Sequence, residues 1–154
     1  MPDTANDGRV LRLIRAMLKA VIVPIKRLST LQHIHAAPQK AYEYLKQEHG
    51  LELLDFYYVT RDTGNTNIGL RARAIFPNGE DPATGSAAGC TSAWMVKYGI
   101  AQPDQTVLIL QGVEVKRPSK LFVRSSKSGT SISNVRVGGH AVQIMKRRGF
   151  PLTP

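Results

Sequence analysis

The chain has one cysteine, Cys90, among 154 residues. An internal disulfide framework and a Cys-built zinc site are therefore excluded, and a reducing compartment suits it. Aromatic residues are sparse at 6%, which leaves little material for a base-stacking platform. No run of 18 apolar residues occurs, because Arg12, Arg15 and Lys19 interrupt the one candidate near the start. That pattern argues against a membrane span and a secretory leader. Acid is missing from the C-terminal end, where residues 116–154 hold nine Lys or Arg and no Asp or Glu. Residues 28–115 carry six basic against nine acidic groups, so the net charge of +10 sits at the two ends. A basic end attracts anions, from small carboxylates to nucleic acid, with strong salt dependence.

With 42% hydrophobic and 21% charged residues, the composition is that of one globular domain or a large part of a bigger one. A chain of this length buries roughly 70% of its unfolded surface, enough for a core without staples. A cytoplasmic protein is the expectation. Residues 1–19 read differently from the rest. Val10, Leu11, Leu13, Ile14, Met17 and Leu18 are spaced for an amphipathic helix with Arg9, Arg12, Arg15 and Lys19 off the apolar stripe. This segment reads as a leader or appended helix; a mitochondrial transit peptide shares the pattern, but Asp3, Asp7 and the scarcity of serine count against it.

From Ala20 the pattern becomes α+β. Val21–Ile25 is a short apolar strand, 38–49 a helix with Pro38 at its start and Gly50 after its end, and Phe56–Thr60 a strand. Between Asn67 and Phe76 the residues alternate, with Ile68, Leu70, Ala72, Ala74 and Phe76 on one face and Arg71 and Arg73 on the other, which predicts a half-buried strand. Further strands are predicted at 106–111, 121–125, 131–137 and 141–146. The helix Ser86–Tyr98, apolar round most of its circumference and followed by Gly99, is predicted to be buried nearly all round. Many short strands around one such helix suggest a mostly antiparallel sheet wrapped about a central helix.

The stretch Glu80-Asp81-Pro82-Ala83-Thr84-Gly85-Ser86-Ala87 sits between a strand and that helix. The first N–H groups of a helix lack internal partners and lie at the positive end of its dipole, so Gly85, Ser86 and Ala87 form a candidate carboxylate or phosphate cradle. Asp81, just outside it, is placed to accept, donate or orient a proton. The same residues also suit an ordinary turn with Thr84 or Ser86 as N-cap.

These eight residues closely resemble the signature of the phenazine biosynthesis PhzF-like family, whose fold is that of diaminopimelate epimerase. The likeness continues in order through Val23-Pro24-Ile25-Lys26 with Leu28 and Leu31, Arg73-Ala74-Ile75-Phe76-Pro77, Gln111-Gly112 with Arg117-Pro118-Ser119, and Val137-Gly138-Gly139. The resemblance implies an isomerase without cofactor or metal, in which two similar halves meet at a cleft. It implies a proton shift on a small carboxylate-bearing metabolite, with Asp81 as the acid/base helper and Thr84, Gly85, Ser86 and Ala87 holding the carboxylate. Aspartate where diaminopimelate epimerases place a cysteine argues against a two-thiol mechanism, and Cys90 reads as a core residue.

The chain departs from the family in lacking the N-terminal glutamate and the Gly-His-Pro histidine; His33, His35, His49 and His140 occur in other contexts. Residues 20–154 thus read as the C-terminal half-domain, inactive or weak alone. The expected partner is a second copy, making a homodimer, or a separate N-terminal half. The alternative from another class is a non-catalytic basic module whose C-terminal third meets nucleic acid or an acidic partner, a reading that the poor interleaving of aromatics with the charges, Phe122 being the main exception, disfavours.

Overall fold

A computed structural model describes residues 20–35, 39–49, 55–77 and 79–140. Ten elements follow in chain order: β1 (Ala20–Pro24), α1 (Leu28–Gln32), α2 (Gln39–His49), β2 (Asp55–Thr60), β3 (Leu70–Phe76), β4 (Gly79–Asp81), α3 (Gly85–Lys97), β5 (Val107–Gln111), β6 (Ser119–Ser128) and β7 (Ser131–Gly139). The segment 1–19 and the strand expected at 141–146 lie outside the described residues.

The strands form one mixed sheet in the order β1-β2-β3-β5-β6-β7, curled into a half-barrel, with β4 paired to β3 off that path. The expected mostly antiparallel sheet is modified by two parallel pairs, β1 with β2 and β3 with β5. Alternation along a strand reports its faces and not its direction. The direction is set by the connections, since parallel neighbours need a crossover. Here α1 and α2 bridge β1 to β2, while β4 and α3 bridge β3 to β5.

Register places the motif. One edge of β3 pairs with β2 along Arg71–Ile75. The other edge is shared: Leu70, Arg71 and Ala72 pair with Ile109, Leu110 and Gln111 of β5, and Ala74, Ile75 and Phe76 pair with Asp81, Glu80 and Gly79 of β4. The ends of β4 and β5 therefore abut beside Ala72–Ala74, and α3 starts at that junction.

Two cores flank the sheet. On the inner side Tyr57, Val59, Leu70, Ala72, Ala74, Val107, Ile109, Leu121 and Val123 pack with Ala87, Ala88 and Met95 of α3. Ala72 and Ala74 of β3 and Ala87 and Ala88 of α3 are fully buried in this core, so a larger side chain there would cost about 1–3 kcal/mol in overpacking. The helix touches β1 near one edge of the sheet and β6 and β7 near the other, so the sheet bends round it, and a buried Ser92–Ser125 hydroxyl bond of 2.7 Å pins it to β6. On the outer side Leu31, Phe56, Tyr58 and Ile75 pack with Leu28, Ala41, Tyr42 and Leu45 of α1 and α2.

Two expectations about burial are corrected. Strand β3 is buried on both faces, because Arg71 and Arg73 are themselves only 7% exposed, each ion-paired to a glutamate, Glu114 and Glu80 respectively. Helix α3 is not covered all round: Cys90, Ala93 and Trp94 are half-buried and Lys97 is exposed. These four share one stripe at i, i+3, i+4 and i+7, on which Cys90 meets the backbone of Ala20 in β1 and Trp94 packs against the edge of the core.

Candidate functional site: an oriented carboxylate beside a helix start

Gln111 organises the junction. It continues the inward register of Val107 and Ile109 and is fully buried. Its Nε2 donates to the Asp81 carbonyl at 2.6 Å and to Thr84 Oγ1 at 2.9 Å. Its Oε1 accepts from the Tyr57 hydroxyl at 2.9 Å and the Thr84 N–H at 3.2 Å. The amide thus uses all four of its hydrogen-bonding positions. Burial, with the Asp81 charge adding, pushes the Tyr57 phenol above its ordinary value, so it remains a donor to Gln111. Gly112 completes the fit at φ +78°, where a Cβ would collide with the Arg117 carbonyl and lie 2.7 Å from that of Pro82.

The Asp81 carboxylate is oriented by its own loop. Thr84 Oγ1 donates to Oδ2 at 2.8 Å and the Ala83 N–H donates to Oδ1 at 3.2 Å. A carboxylate has about four lone-pair sites, so acceptor capacity remains on a half-buried side chain. Thr84 is the N-cap residue of α3, yet its side chain makes no capping bond. The first bond of the helix runs from the Ala88 N–H to the Thr84 carbonyl at 3.0 Å, leaving the N–H groups of Gly85, Ser86 and Ala87 without intrahelical acceptors. Gly85 and Ser86 are exposed, and Ala87 is buried. The start of α3 is open rather than sealed by side chains.

Asp81, Thr84, Gly85, Ser86 and Ala87 are therefore brought to one place, with Thr84 turned to Asp81 and away from the helix start. Cys90 stands apart: burial pushes its thiol up, while the N–H groups of Ala20 and of Cys90 itself pull the other way. Glu80, next to Asp81 in sequence, is held by Arg73 at 2.6 Å. Tyr57 and Gln111 were missed as site residues, although a glutamine at an inward position of an apolar strand is a signal that a buried polar partner exists. Among the described residues there is no group of three or more His, Cys, Asp or Glu that could hold a metal ion, and no helix long and apolar enough to cross a membrane.

The fold and site define a half-barrel α+β protein that presents an oriented aspartate beside the open N-terminus of its inner helix. Residues 3–147 match the family described as phenazine biosynthesis-like protein (PhzC-PhzF), and the chain belongs to that family. It is 30% identical over 138 residues to an uncharacterized isomerase of Mesorhizobium japonicum, covering 84% of this chain and 44% of the relative. It is 37% identical over 71 residues to the trans-2,3-dihydro-3-hydroxyanthranilate isomerase of Pseudomonas aeruginosa, covering 46% of this chain and 26% of that enzyme. Among solved structures, a PhzF-family phenazine biosynthesis protein of Bacillus anthracis superposes with a TM-score of 0.60 at 16% identity, covering 80% of this chain and 46% of the other. A predicted epimerase of Pseudomonas aeruginosa gives 0.55 at 24% identity, covering 82% and 43%. Each match thus covers less than half of the other protein.

Proposed function

We propose that this chain carries one half of a PhzF-type isomerase site, which promotes a cofactor-independent proton shift on a small carboxylate-bearing metabolite. The observation that carries this reading is the Asp81 carboxylate, fixed by Thr84 and Ala83 beside the uncapped N–H groups of Gly85, Ser86 and Ala87. In this reading Gly85 and Ser86 hold the substrate carboxylate, Ala87 adds a third N–H, and Asp81 hydrogen bonds the reacting part of the substrate and assists the proton transfer. Thr84 and Gln111 keep Asp81 in place.

The family's glutamate and Gly-His-Pro histidine do not occur among these 154 residues, and in this reading the main proton shuttle is supplied from outside them. A second copy of the chain, or a separate N-terminal half, covers the open end in this proposal. Alone, the chain lacks a general acid/base contribution of the order of 10²–10⁴-fold.

The test uses trans-2,3-dihydro-3-hydroxyanthranilate, the compound named for the Pseudomonas relatives. Titrated into ¹⁵N-labelled chain, it should shift the Gly85, Ser86 and Ala87 amides saturably while solvent deuterium enters it slowly or not at all. Addition of the N-terminal half of an intact family member should raise the exchange, and Asp81→Asn should then lower it by roughly 10²-fold or more while leaving the amide shifts. Amides that stay put at millimolar ligand would overturn the cradle.

A further inference from the structure

The inward residues of β5 and β6, Val107, Ile109, Leu121 and Val123, belong to the core against α3. Their neighbours Leu108, Leu110, Lys120, Phe122 and Arg124 face outward by alternation. Register extends this face: Leu108 lies opposite Phe122 and Leu110 opposite Lys120, while Phe122 lies opposite Gly138 and Arg124 opposite Arg136. Helices α1 and α2 cover the outer side over β2 and β3, and no described helix is packed on this part. Leu108, Leu110, Phe122 and Arg124 are half-buried, and Lys120 and Arg136 are exposed.

Two features of the face call for an anion. Arg124 and Arg136 occupy directly opposed positions, an arrangement that repels unless a counter-charge lies across it. No acid occurs between residues 116 and 154, and among the described residues neither Arg124 nor Arg136 is in an ion pair. Two further features call for a flat ring. Phe122 lies between Lys120 and Arg124 on β6 and meets the His140 ring edge-on, with centroids 5.8 Å apart and planes at 72°. Beside them is an open cavity of about 470 Å³, bordered by Leu110, Pro118, Lys120 and His140 on this side and by Ala83 of the Asp81 loop on the other.

We propose that the outer face of β5–β7 binds single-stranded nucleic acid, with phosphates on Lys120, Arg124 and Arg136 and an unstacked base against Phe122 and in the adjoining cavity. Phe122 is the main exception to the poor interleaving of aromatics with charges along the chain, and β-sheet register adds Arg136, opposite Arg124, to the same face. A single strand fits better than a duplex, because stacking on Phe122 and entry into a cavity both need a base free of its partner. The phosphate and stacking positions lie apart from the start of α3, and only the cavity adjoins the Asp81 loop, at Ala83.

The experiment is fluorescence anisotropy of the full chain with labelled dT12 and rU12 at 20 and 200 mM salt. With three phosphates neutralised and about 0.7 of a log unit of slope for each, a tenfold rise in salt should weaken binding about 100-fold or more. Phe122→Leu, which keeps the apolar volume and removes the ring, should weaken binding roughly tenfold. Arg124→Gln with Arg136→Gln should flatten the salt dependence by about 1.4 log units per decade. Lys40→Gln with Lys46→Gln, on the exposed side of α2, should change neither. No binding at 20 mM salt overturns the proposal. So does a loss equal in the α2 variant, which would mean unlocalised charge attraction. Equal affinity for polyglutamate with no effect of Phe122→Leu would assign the face to an acidic protein instead.

Discussion

Arg71 and Arg73 sit two residues apart on the same face of β3, equally buried and each beside a glutamate, yet their surroundings differ. Arg73 makes bonds to both oxygens of Glu80 through Nε and Nη2, and its Nη1 donates to the carbonyls of Leu31 at 2.9 Å and Ile34 at 2.7 Å. It ties the C-terminal end of α1, the sheet and the strand leading to Asp81 into one unit. Arg71 makes a single 2.6 Å bond from Nη2 to Glu114, and its Nε and the other Glu114 oxygen have no partner among the described residues. A buried ion pair repays the cost of leaving water only when its remaining hydrogen-bonding groups are met. The same pair of residue types is therefore a fastening at one position and a marginal contact at the other.

Removing Arg73 should have the largest effect. Arg73→Met leaves Glu80 buried without its partner and frees the carbonyls of α1, and it should cost about 3–5 kcal/mol in urea unfolding. The combined change Arg71→Met with Glu114→Leu should be neutral or raise stability by about 1–4 kcal/mol. If that double variant were as damaging as Arg73→Met, the contrast between the two pairs would be wrong.

Gln111→Leu sharpens the comparison on the neighbouring strand, where another fully engaged polar group is found. Leaving Tyr57, Thr84 and the Asp81 carbonyl unpaired should cost about 1–3 kcal/mol. The shifts of the Gly85 and Ser86 amides on adding trans-2,3-dihydro-3-hydroxyanthranilate should weaken as well, because the loop loses its anchor. A stability loss with unchanged ligand response would separate the core role of Gln111 from the site.

The smallest effect concerns pH. The folded Tyr57 phenol ionises above the ordinary value of 10.0 because burial disfavours its anion. Its contribution to stability is therefore complete below pH 10 and is lost as pH rises from there towards the folded value. Urea midpoints measured from pH 9 to 11 should fall more steeply for the native chain than for Tyr57→Phe. Parallel slopes would show that Tyr57 is not protected from ionisation.

The contrast also marks what could be read from sequence. Strands such as Phe56–Thr60 and the helix of residues 86–98 were legible from periodicity, and the signature fixed the family and the neighbourhood of Asp81. Charge was misleading on β3: Arg71 and Arg73 look outward to any alternation rule, and Arg71 has its partner 43 positions further on. The five residues of α1 are too few for a helical period to show, and β4 has only three. Gln111 was visible as a residue of the family pattern, but its bonds to Asp81 and Thr84 depend on β4 and β5 sharing one edge of β3. That is a property of pairing rather than of local sequence.

Gly112 shows what this sharing means in time. The backbone there passes so close to the carbonyls of Pro82 and Arg117 that the loop bearing Asp81 takes its shape against the end of β5. A mould must be in position before a cast can set. The aspartate loop, although it precedes β5 in the chain, can acquire its final form only after β5 has come alongside β3. Because β5 lies between β3 and β6 and carries the core residues Val107 and Ile109, whatever lifts β5 away opens the sheet and erases the arrangement around Asp81 with it, so the site lasts only as long as the core does.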